Sequence, residues 1–584
     1  MERSLIGLPA SPGIVIGPVH LLRWEVPDVP SRIIGDDEVQ DEIARFHTVL
    51  ERARERLRMV RARAERQAGP EEAKIFDAQL WILEDHELIN RVEALIRQNL
   101  GVEKAFDLTM YENRQNFARH TNPMVRERVG DITDVHIRVV SLLLGLGDHD
   151  PVDVPKGSNA ILVTHDLTPS LTVQLDREAI AAIATDAGTR TSHVAILARS
   201  LGIPAVVGLR NATSRLKGGE RAILDGAAGT LNIAPTDADV TAFERRGERE
   251  AEMVAELALL VGAEPITLDD VRITLRANVD MPEEAELAQR SGAEGVGLMR
   301  TEFLVVGRTS MPDEDEQYRA YKRVVEAFSG FPVVIRTYDI GGDKLPVGGY
   351  PTEPNPFLGW RAIRVCLDEP ELFKTQLRAM LRAAVHGDLQ IMLPLIVSVD
   401  EVHRTRELLD EAARELAARG VAHRGDVPLG VMIETPSAAV SADSYVGHVS
   451  FFSIGTNDLV QYTLAVDRGN ANLASRFTPL HPSVLRLIQR AVQVADENGI
   501  AITVCGEMAS QPLMAFALIG LGVRSLSVGP RSLPLMKRLI REMRASGAAV
   551  FAKEALGAGT AARSEQILQR GLVETCGDDP MLHA

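Results

Sequence analysis

Eight short apolar runs separated by helical segments constrain the fold of this 584-residue chain more than any other feature. They recur over about 310 residues, and eight βα units in a stretch of that length are typical of a TIM (β/α)8 barrel. We therefore predict a C-terminal barrel over residues 263–575. The runs are Ile273–Leu275, Gly295–Leu298, Val333–Ile335, Ile391–Leu393, Gly430–Ile433, Phe451–Ile454, Ile502–Val504 and Ser525–Val528.

Residues 33–147 show a helical pattern instead. Apolar residues lie at Val39, Ile43, Phe46 and Leu50, in alternating steps of four and three, which predicts a helix with one narrow buried seam. Such a seam needs other helices to cover it, and further helical segments follow up to residue 144. We therefore predict a helical bundle.

Short Val- and Ile-rich runs punctuated by Gly and Pro flank the bundle, at Gly7–His20 and Asn159–Ile233. They indicate a small α/β domain made of residues 1–32 and 148–235, into which the bundle is inserted. The charged helical stretch 236–262 is predicted to link this domain to the barrel, and residues 576–584 to form a C-terminal tail. The predicted fold class is multidomain α/β.

Composition excludes several classes of protein. The net charge of -17 argues against nonspecific nucleic-acid binding, which needs concentrated Lys and Arg. The three cysteines, Cys366, Cys505 and Cys576, contain no closely spaced pair, which indicates a reducing compartment. The first residues do not resemble a secretion signal, and no run of about 18 apolar residues occurs. We expect a cytoplasmic protein without a membrane span.

Polar residues follow most of the apolar runs, where a barrel of this type carries its active site. Four arginines are candidates for binding phosphate, because the guanidinium group donates two parallel hydrogen bonds and keeps its charge. A single arginine is more often part of a surface ion pair. The candidates are Arg300, Arg336, Arg361 and Arg468.

Three further residues at the strand ends have candidate roles. Glu434 and Asp458 follow separate strands, and two carboxylates completed by substrate oxygens and water suit Mg2+. Alone, each would more often be a helix cap or an ion-pair partner. Cys505 is a candidate proton donor if its thiol faces the pocket; the alternative is an inert buried cysteine.

A second chemical centre is predicted at Asp186–His193, a turn that leads directly into a helix. Thr191 or Ser192 can cap that helix and place His193 in its first turn. A neutral imidazole there is a plausible phosphoryl acceptor, since it is nucleophilic near pH 7 and the helix N-terminus donates to the product. A structural histidine or a metal ligand is the alternative.

In combination these segments resemble Enzyme I of the bacterial sugar phosphotransferase system, the phosphoenolpyruvate-protein phosphotransferases. The resemblance covers nearly the whole chain. The matching motifs are Gly7–Gly13, Asp166–Ser170, Thr191–Arg199, Gly297–Leu304, Asn355–Arg361, Gly455–Asp458 and Cys505–Glu507.

The resemblance implies that His193 becomes the phosphohistidine of a swivelling α/β domain and that Cys505 protonates the enolate to release pyruvate. It implies a homodimer formed by the barrels and binding of the phosphocarrier HPr by the bundle. Glu434 and Asp458 would bind Mg2+. The residues expected to hold phosphoenolpyruvate are Arg300, Arg336, Asn457, Asp458 and Arg468, with Arg361 added from its motif.

The chain departs from the family pattern in two places. Gly188–Thr189 stands where the family usually has two glycines, and the segment after Lys344 is slightly short. Thr189 restricts the backbone beside His193 but removes no chemical group.

One competing interpretation is a pyruvate phosphate dikinase or phosphoenolpyruvate synthase, which would need an ATP-binding domain and a Gly-rich phosphate loop. Another is a non-enzymatic regulatory relative, which is disfavoured because every expected catalytic group is present. A start at Met1 leaves no room for the sensory domain of nitrogen-regulatory relatives, so the sugar branch is expected.

Overall fold

The computed structural model describes residues 4–22, 24, 26–67, 75–118, 129–146, 154, 157–167, 171, 179–188, 194–195, 198, 202–305, 310–341, 353, 355–468, 470–577 and 579–583. The chain divides into two compact units, Met1–Ala251 and Glu252–Ala584. The boundary between the units falls inside a helix that spans Asp237–Ala258.

The first unit is built on an eight-stranded sheet. Its strands are β1 (Ser4–Ile6), β2 (Leu8–Ser11), β3 (Ile14–Leu22), β4 (Ala160–Thr164), β5 (Ile180–Thr185), β6 (Ala205–Val207), β7 (Arg221–Asp225) and β8 (Thr230–Ile233). Their spatial order is β1-β8-β7-β3-β4-β5-β6-β2. The centre, β3 to β6, is parallel, and β4 is buried along its whole length because apolar clusters cover both of its faces.

Among the described residues, five longer helices lie between β3 and β4 along the chain. They are α1 (Val39–Gln67), α2 (Ile75–Glu84), α3 (His86–Ile96), α4 (Val102–Ala118) and α5 (Val129–Leu143). The seam predicted for α1 is buried at Phe46 and Leu50, which belong to an apolar cluster shared by these helices. Since β3 and β4 are hydrogen-bonded neighbours, the helices are an insertion between adjacent strands, as predicted. The described residues between β6 and the barrel form two more helices, α6 (Ala212–Arg215) and α7 (Asp237–Ala258).

The second unit contains a closed barrel of eight parallel strands, which confirms the predicted barrel fold. The strands are β9 (Thr274–Val279), β10 (Val296–Met299), β11 (Val333–Arg336), β12 (Leu389–Leu393), β13 (Leu429–Ile433), β14 (Phe451–Ile454), β15 (Ala501–Val504) and β16 (Ser525–Val528). The sheet closes where β16 pairs with β9, with Ser525 opposite Thr274. Most of these strands start and end within two residues of the predicted runs.

Helices surround the barrel and bury their apolar stripes against it, forming one continuous core. They are α8 (Glu284–Arg290), α9 (Glu314–Ala327), α10 (Ile363–Asp368), α11 (Pro370–Ala383), α12 (Val399–Ala418), α13 (Pro436–Val440), α14 (Thr456–Leu464), α15 (Pro482–Asn498), α16 (Pro512–Gly520), α17 (Leu533–Glu542), α18 (Ala545–Leu556), α19 (Ala561–Cys576) and α20 (Pro580–His583).

Described residues of the segment predicted as a C-terminal tail contact the barrel unit. Leu582 joins the core of the barrel unit, and the Asp579 carboxylate accepts a hydrogen bond of 2.6 Å from Arg538 Nε. The apolar signal in this segment is only Met581 and Leu582, which is too short to show periodicity in the sequence.

Candidate active site at the carboxyl end of the barrel strands

A cavity of about 630 Å³ opens at the carboxyl ends of the barrel strands. Parallel strands deliver the residues that follow them to the same rim, so side chains distant in sequence meet there. Of the nine predicted site residues, eight line this cavity: Arg300, Arg336, Arg361, Glu434, Asn457, Asp458, Arg468 and Cys505. The ninth, His193, lies outside the described residues.

Two buried arginines form the charged floor of the cavity. Arg336 Nη1 lies 2.8 Å from Asp339 Oδ2, and Arg336 Nη2 donates a 2.7 Å hydrogen bond to Glu302 Oε1. Arg361 Nη2 donates a 2.5 Å hydrogen bond to the other Asp339 oxygen and a 3.3 Å bond to Asp458 Oδ2. Asp339 therefore holds both guanidinium groups in one place, which preorganises a site for an anion.

These contacts alter the protonation of the groups concerned. Burial alone would raise the pKa of the Asp339 carboxyl, but Arg336 and Arg361 outweigh burial and lower it. Burial disfavours the charged form of Arg336, yet Glu302 and Asp339 raise its pKa above the usual value. Arg336, Asp339 and Arg361 are thus all charged at the same time and form a fixed ion network.

Glu434 and Asp458 are the two carboxylates predicted to bind a metal ion. Burial and the like charges of Asp458 and Asp339 raise the pKa of the Glu434 carboxyl well above its usual value. Among the described residues, buried Asp458 Oδ1 has no hydrogen-bond partner, and Arg468 Nη2 is 3.8 Å away. A cation would relieve both the repulsion and the unsatisfied oxygen, so the residues present fit a divalent metal.

The part of the chain that the structure describes contains no group of three or more His, Cys, Asp or Glu arranged to hold a metal alone. A metal at Glu434 and Asp458 would therefore take its remaining ligands from a substrate and water. Mg2+ prefers such open sites.

Two residues next to the buried charged groups, Leu395 and Ala362, have strained backbone conformations. Leu395 has a φ of 56°, and its amide donates a 2.6 Å hydrogen bond to Glu434 Oε1. Ala362, directly after Arg361, has a φ of 55°. Non-glycine residues in this region cost about 1–3 kcal/mol each and occur mainly at functional sites.

The rim of the cavity carries more exposed polar groups. The Arg300 side chain is about one-third exposed, and its Nη1 donates a 2.7 Å hydrogen bond to Asp280 Oδ1. Asn457 exchanges two hydrogen bonds of 3.1 Å with Glu507, one to its carboxylate and one from its amide. Glu507 can approach only because Gly506 lacks a side chain: a Cβ there would lie 1.9 Å from Thr456 Oγ1.

Cys505 is placed at the boundary between the cavity and the apolar barrel interior. It packs in a buried cluster with Leu298, Met432 and Phe451, and only 1% of its surface is exposed. Burial raises the pKa of the thiol, so the group is a neutral potential proton donor.

Comparison with known proteins relates nearly the whole chain to one family. The PEP-binding domain of PEP-utilising enzymes matches residues 254–545, the N-terminal domain of these enzymes matches residues 6–128 and their mobile domain matches residues 156–229. A phosphoenolpyruvate-protein phosphotransferase from Bacillus sp. (strain S) is 40% identical over 571 residues, which cover 97% of this chain and 98% of the relative. The chain belongs to the phosphoenolpyruvate-protein phosphotransferase family.

Other relatives agree. The phosphoenolpyruvate-protein phosphotransferase of Haemophilus influenzae is 41% identical and covers 97% of this chain and 99% of its own length. A solution structure described as Enzyme I (nEIt) is 34% identical, covers 42% of this chain and 99% of its own, and superposes with a TM-score of 0.37, too low to compare the folds.

Within this family member, two site residues had no role in the sequence prediction. Asp339 is one of the polar residues that follow the third apolar run, and it joins Arg336 and Arg361. Tyr462 on α14 accepts a 3.3 Å hydrogen bond from Arg361 Nη1 and donates a 2.5 Å bond to the Phe357 carbonyl. Its spacing of four residues from Asp458 places both on one helix face, which is the only available sequence signal.

The predicted phosphohistidine segment is described only up to Gly188. Asp186, at the end of β5, accepts hydrogen bonds from the Ala212 amide and from the Thr213 amide (3.1 Å). The carboxylate thus ties the strand end to α6. The proposed helix cap at Thr191 or Ser192 lies outside the described residues, as does Thr189.

In the described part of the chain, none of the helices is both long enough and apolar enough to cross a bilayer.

Proposed function

We propose that this protein transfers the phosphoryl group of phosphoenolpyruvate to its own His193, and from there to a histidine of the phosphocarrier HPr, with release of pyruvate. The observation that carries the proposal is the buried Arg336–Asp339–Arg361 network beside Glu434 and Asp458 at the mouth of the barrel. Family membership supplies the substrate class, because the relatives are named for phosphoenolpyruvate.

The arginines would bind the two anionic groups of phosphoenolpyruvate. Arg336 and Arg361 are already fixed by Asp339, so little side-chain freedom is lost when substrate binds. Arg300 and Arg468, which are more exposed, would close on the substrate from the rim with Asn457. Fixed guanidinium groups stabilise charge that develops on the transferring phosphoryl group.

Glu434 and Asp458 would hold Mg2+. When bound, the ion would supply charge neutralisation for the phosphoryl oxygens. The unsatisfied Asp458 oxygen and the carboxylate repulsion at Glu434 support this assignment.

In the transfer step, an imidazole nitrogen of His193 would form a bond to phosphorus while the bond from phosphorus to the enol oxygen breaks. The leaving group is the enolate of pyruvate. Cys505 would give its thiol proton to the methylene carbon, and the S–H electron pair would stay on sulfur. Its position beside apolar Leu298 and Met432 suits contact with that carbon.

The remaining assignments follow from the family and from the sequence pattern. We propose an α/β swivelling domain (1–32 and 148–235), an HPr-binding bundle (33–147), a linker (236–262) and a barrel domain (263–575) that pairs in a homodimer. The α/β domain would carry His193 between the barrel and HPr. We also propose that the protein is cytoplasmic and that it belongs to the sugar branch of the family.

Labelled phosphoenolpyruvate tests the central claim. The protein is incubated with Mg2+ and substrate labelled in the phosphoryl group, alongside His193→Ala and, as a matched control, His165→Ala from the same unit. Acid-labile label should appear on the wild type and on the His165 variant only, and it should pass to added HPr. Label on His193→Ala would refute the acceptor, and no label on any protein would refute the reaction.

A further inference from the structure

The Cys505 thiol has a hydrogen-bond donor that the proposed reaction does not yet use. Ser453, on β14, donates from its hydroxyl to Cys505 Sγ at 3.2 Å, and both side chains are buried. The thiol itself donates to the Ile454 carbonyl at 3.6 Å. The other buried neighbours in its cluster are apolar.

We propose that Ser453 is a positioning residue for the proton transfer: its hydroxyl orients the Cys505 thiol and stabilises the thiolate left behind when the proton moves to the enolate carbon. This inference rests on the proposed function. The S–H bond breaks, the new C–H bond forms at the methylene carbon, and the electron pair remains on sulfur. Water later returns a proton to the thiolate.

Ser453 can stabilise the product of the proton transfer because hydrogen bonds to a charged acceptor are stronger than hydrogen bonds to a neutral one. A hydroxyl donates a stronger hydrogen bond to a thiolate than to a thiol, so the contact strengthens as the proton leaves. In an apolar cluster the thiolate would otherwise be poorly solvated. Burial raises the pKa of Cys505 and the Ser453 hydrogen bond lowers it.

Charged groups around the thiol act in both directions. Glu434 disfavours the thiolate, whereas Arg336 and Arg300 favour it. None of these groups is hydrogen-bonded to sulfur among the described residues. Removing the Ser453 hydroxyl should therefore change the environment of the thiol while leaving the proposed substrate-binding groups in place.

The backbone of Cys505 is held independently of Ser453. Asn278, on β9, donates from its side-chain amide to the Cys505 carbonyl at 3.0 Å, and Ser527 on β16 donates to Asn278 Oδ1 at 2.7 Å. Removing the Ser453 hydroxyl should leave this anchor in place. Ser453→Ala consequently tests the contact to sulfur rather than the position of the strand.

Thr503 offers a matched control. It lies on β15, two residues before Cys505, and its hydroxyl donates a 3.0 Å hydrogen bond to Ser525 Oγ across the neighbouring strand. Thr503→Val removes a partly buried barrel hydroxyl of the same kind without touching Cys505. Ser453→Cys keeps a weak donor and nearly the same volume, and it covers the case in which the alanine variant folds poorly.

The experiment measures deuterium entry into the methyl group of pyruvate. Full-length wild type and the three variants are incubated with Mg2+, phosphoenolpyruvate and pyruvate at equilibrium in D2O, and NMR follows exchange above an enzyme-free blank. Ser453→Ala should lower the maximal exchange rate about tenfold, with the half-saturating phosphoenolpyruvate concentration unchanged. Ser453→Cys should fall between the wild type and Ser453→Ala, and Thr503→Val should match the wild type.

Equal rates for Ser453→Ala and wild type would overturn the inference while leaving the proposed function intact. So would a tenfold loss shared by Thr503→Val, since that would be a general effect on the barrel. A wild type that exchanges no deuterium in the presence of all components would instead overturn the proposed function, and this inference with it.

Discussion

Two charge clusters in the barrel unit contain similar residues but differ in what they do. On the outer ring of helices, Glu314 on α9 accepts hydrogen bonds of 2.6–2.9 Å from three arginines: Arg378, Arg382 and Arg419. At the barrel mouth, Arg336 and Arg361 pair with three carboxylates: Glu302, Asp339 and Asp458. Glu434 lies close enough to Arg336 to influence its pKa. Both clusters are largely removed from water, but at the barrel mouth one buried carboxylate oxygen, Asp458 Oδ1, has no hydrogen-bond partner among the described residues.

The pKa values of Glu314 and Glu434 show the difference between the two clusters. Burial raises the pKa of Glu314, but its arginines outweigh burial and lower it to about 2. Burial and neighbouring carboxylates raise the pKa of Glu434 well above its usual value. A satisfied ion network stabilises the fold, whereas one left with surplus negative charge and strained backbone is prepared for a ligand.

The largest effect that would test this contrast is expected from Glu434→Gln. We expect phosphorylation of the protein by phosphoenolpyruvate to slow by about 10²–10³-fold, because the substitution removes a proposed metal ligand. Gln retains the acceptor for the Leu395 amide and relieves repulsion, so the free energy of unfolding should stay equal or increase. Stopped-flow kinetics and urea denaturation measure the two quantities. A clear loss of stability would contradict the view that Glu434 is held for function.

The opposite pattern is expected from Glu314→Gln. Three guanidinium groups would lose their shared counter-charge, which should lower the free energy of unfolding by about 2–3 kcal/mol while leaving transfer kinetics at 25 °C unchanged. Asp315→Asn is the matched control, because that carboxylate also pairs with Arg382 but is 64% exposed and should contribute little. If the two substitutions cost the same, the outer cluster is not a stabilising network.

A buried histidine extends the comparison to the helical bundle. His136 on α5 has one ring nitrogen 3.1 Å from Asp107 Oδ1, and among the described residues the other has no partner. Burial lowers its pKa from 6.5 to about 4, although Asp107 opposes this change. The unfolded chain therefore binds the proton at a higher pH than the folded chain does.

Stability of the bundle should consequently decrease as the pH falls below about 6.5. The loss should be about 2 kcal/mol near pH 5 and about 3 kcal/mol when it is complete below about pH 4. Hydrogen exchange of the amides in Val129–Leu143 at pH 7 and pH 5 measures this locally. His136→Leu should show less change between the two pH values. Exchange protection that rises on acidification in the wild type would contradict the prediction.

The smallest effect concerns strain at the barrel mouth. Ala362→Gly should relieve the φ of 55° and raise the free energy of unfolding by about 1 kcal/mol, reduced by the added freedom of the unfolded chain. A looser backbone beside Arg361 should raise KM for phosphoenolpyruvate a few-fold. Reduced stability together with an unchanged KM would indicate that the strain has no role in placing Arg361.

Most strands of the barrel were predictable because their apolar runs face helices on one side and a packed interior on the other. The first was misplaced: Ile273–Leu275 was predicted, and Thr274–Val279 is observed. Arg276 and Asn278 interrupt its apolar pattern because they alternate with residues that face the helices. The same Asn278 anchors Cys505, so a functional contact obscured the strand signal.

The site was predictable to the extent that its residues directly follow strands. Arg300, Glu434 and Cys505 each come immediately after one, and the barrel rule alone brings them together. The sequence could not reveal that Asp339 bridges Arg336 and Arg361, because Arg361 belongs to a segment 22 residues further along the chain. No local sequence pattern encodes a contact between positions that far apart.

The sequence alone determined the kinds of element, their order and the chemical groups at the barrel rim, because periodicity and residue type are local properties. Only the tertiary structure decided which charges are satisfied and which are left over. Ser453 and Cys505 lie 52 positions apart, and Glu434 and Asp458 follow neighbouring strands. Pairing, burial and protonation depend on distances through space, and closure of the barrel sets those distances.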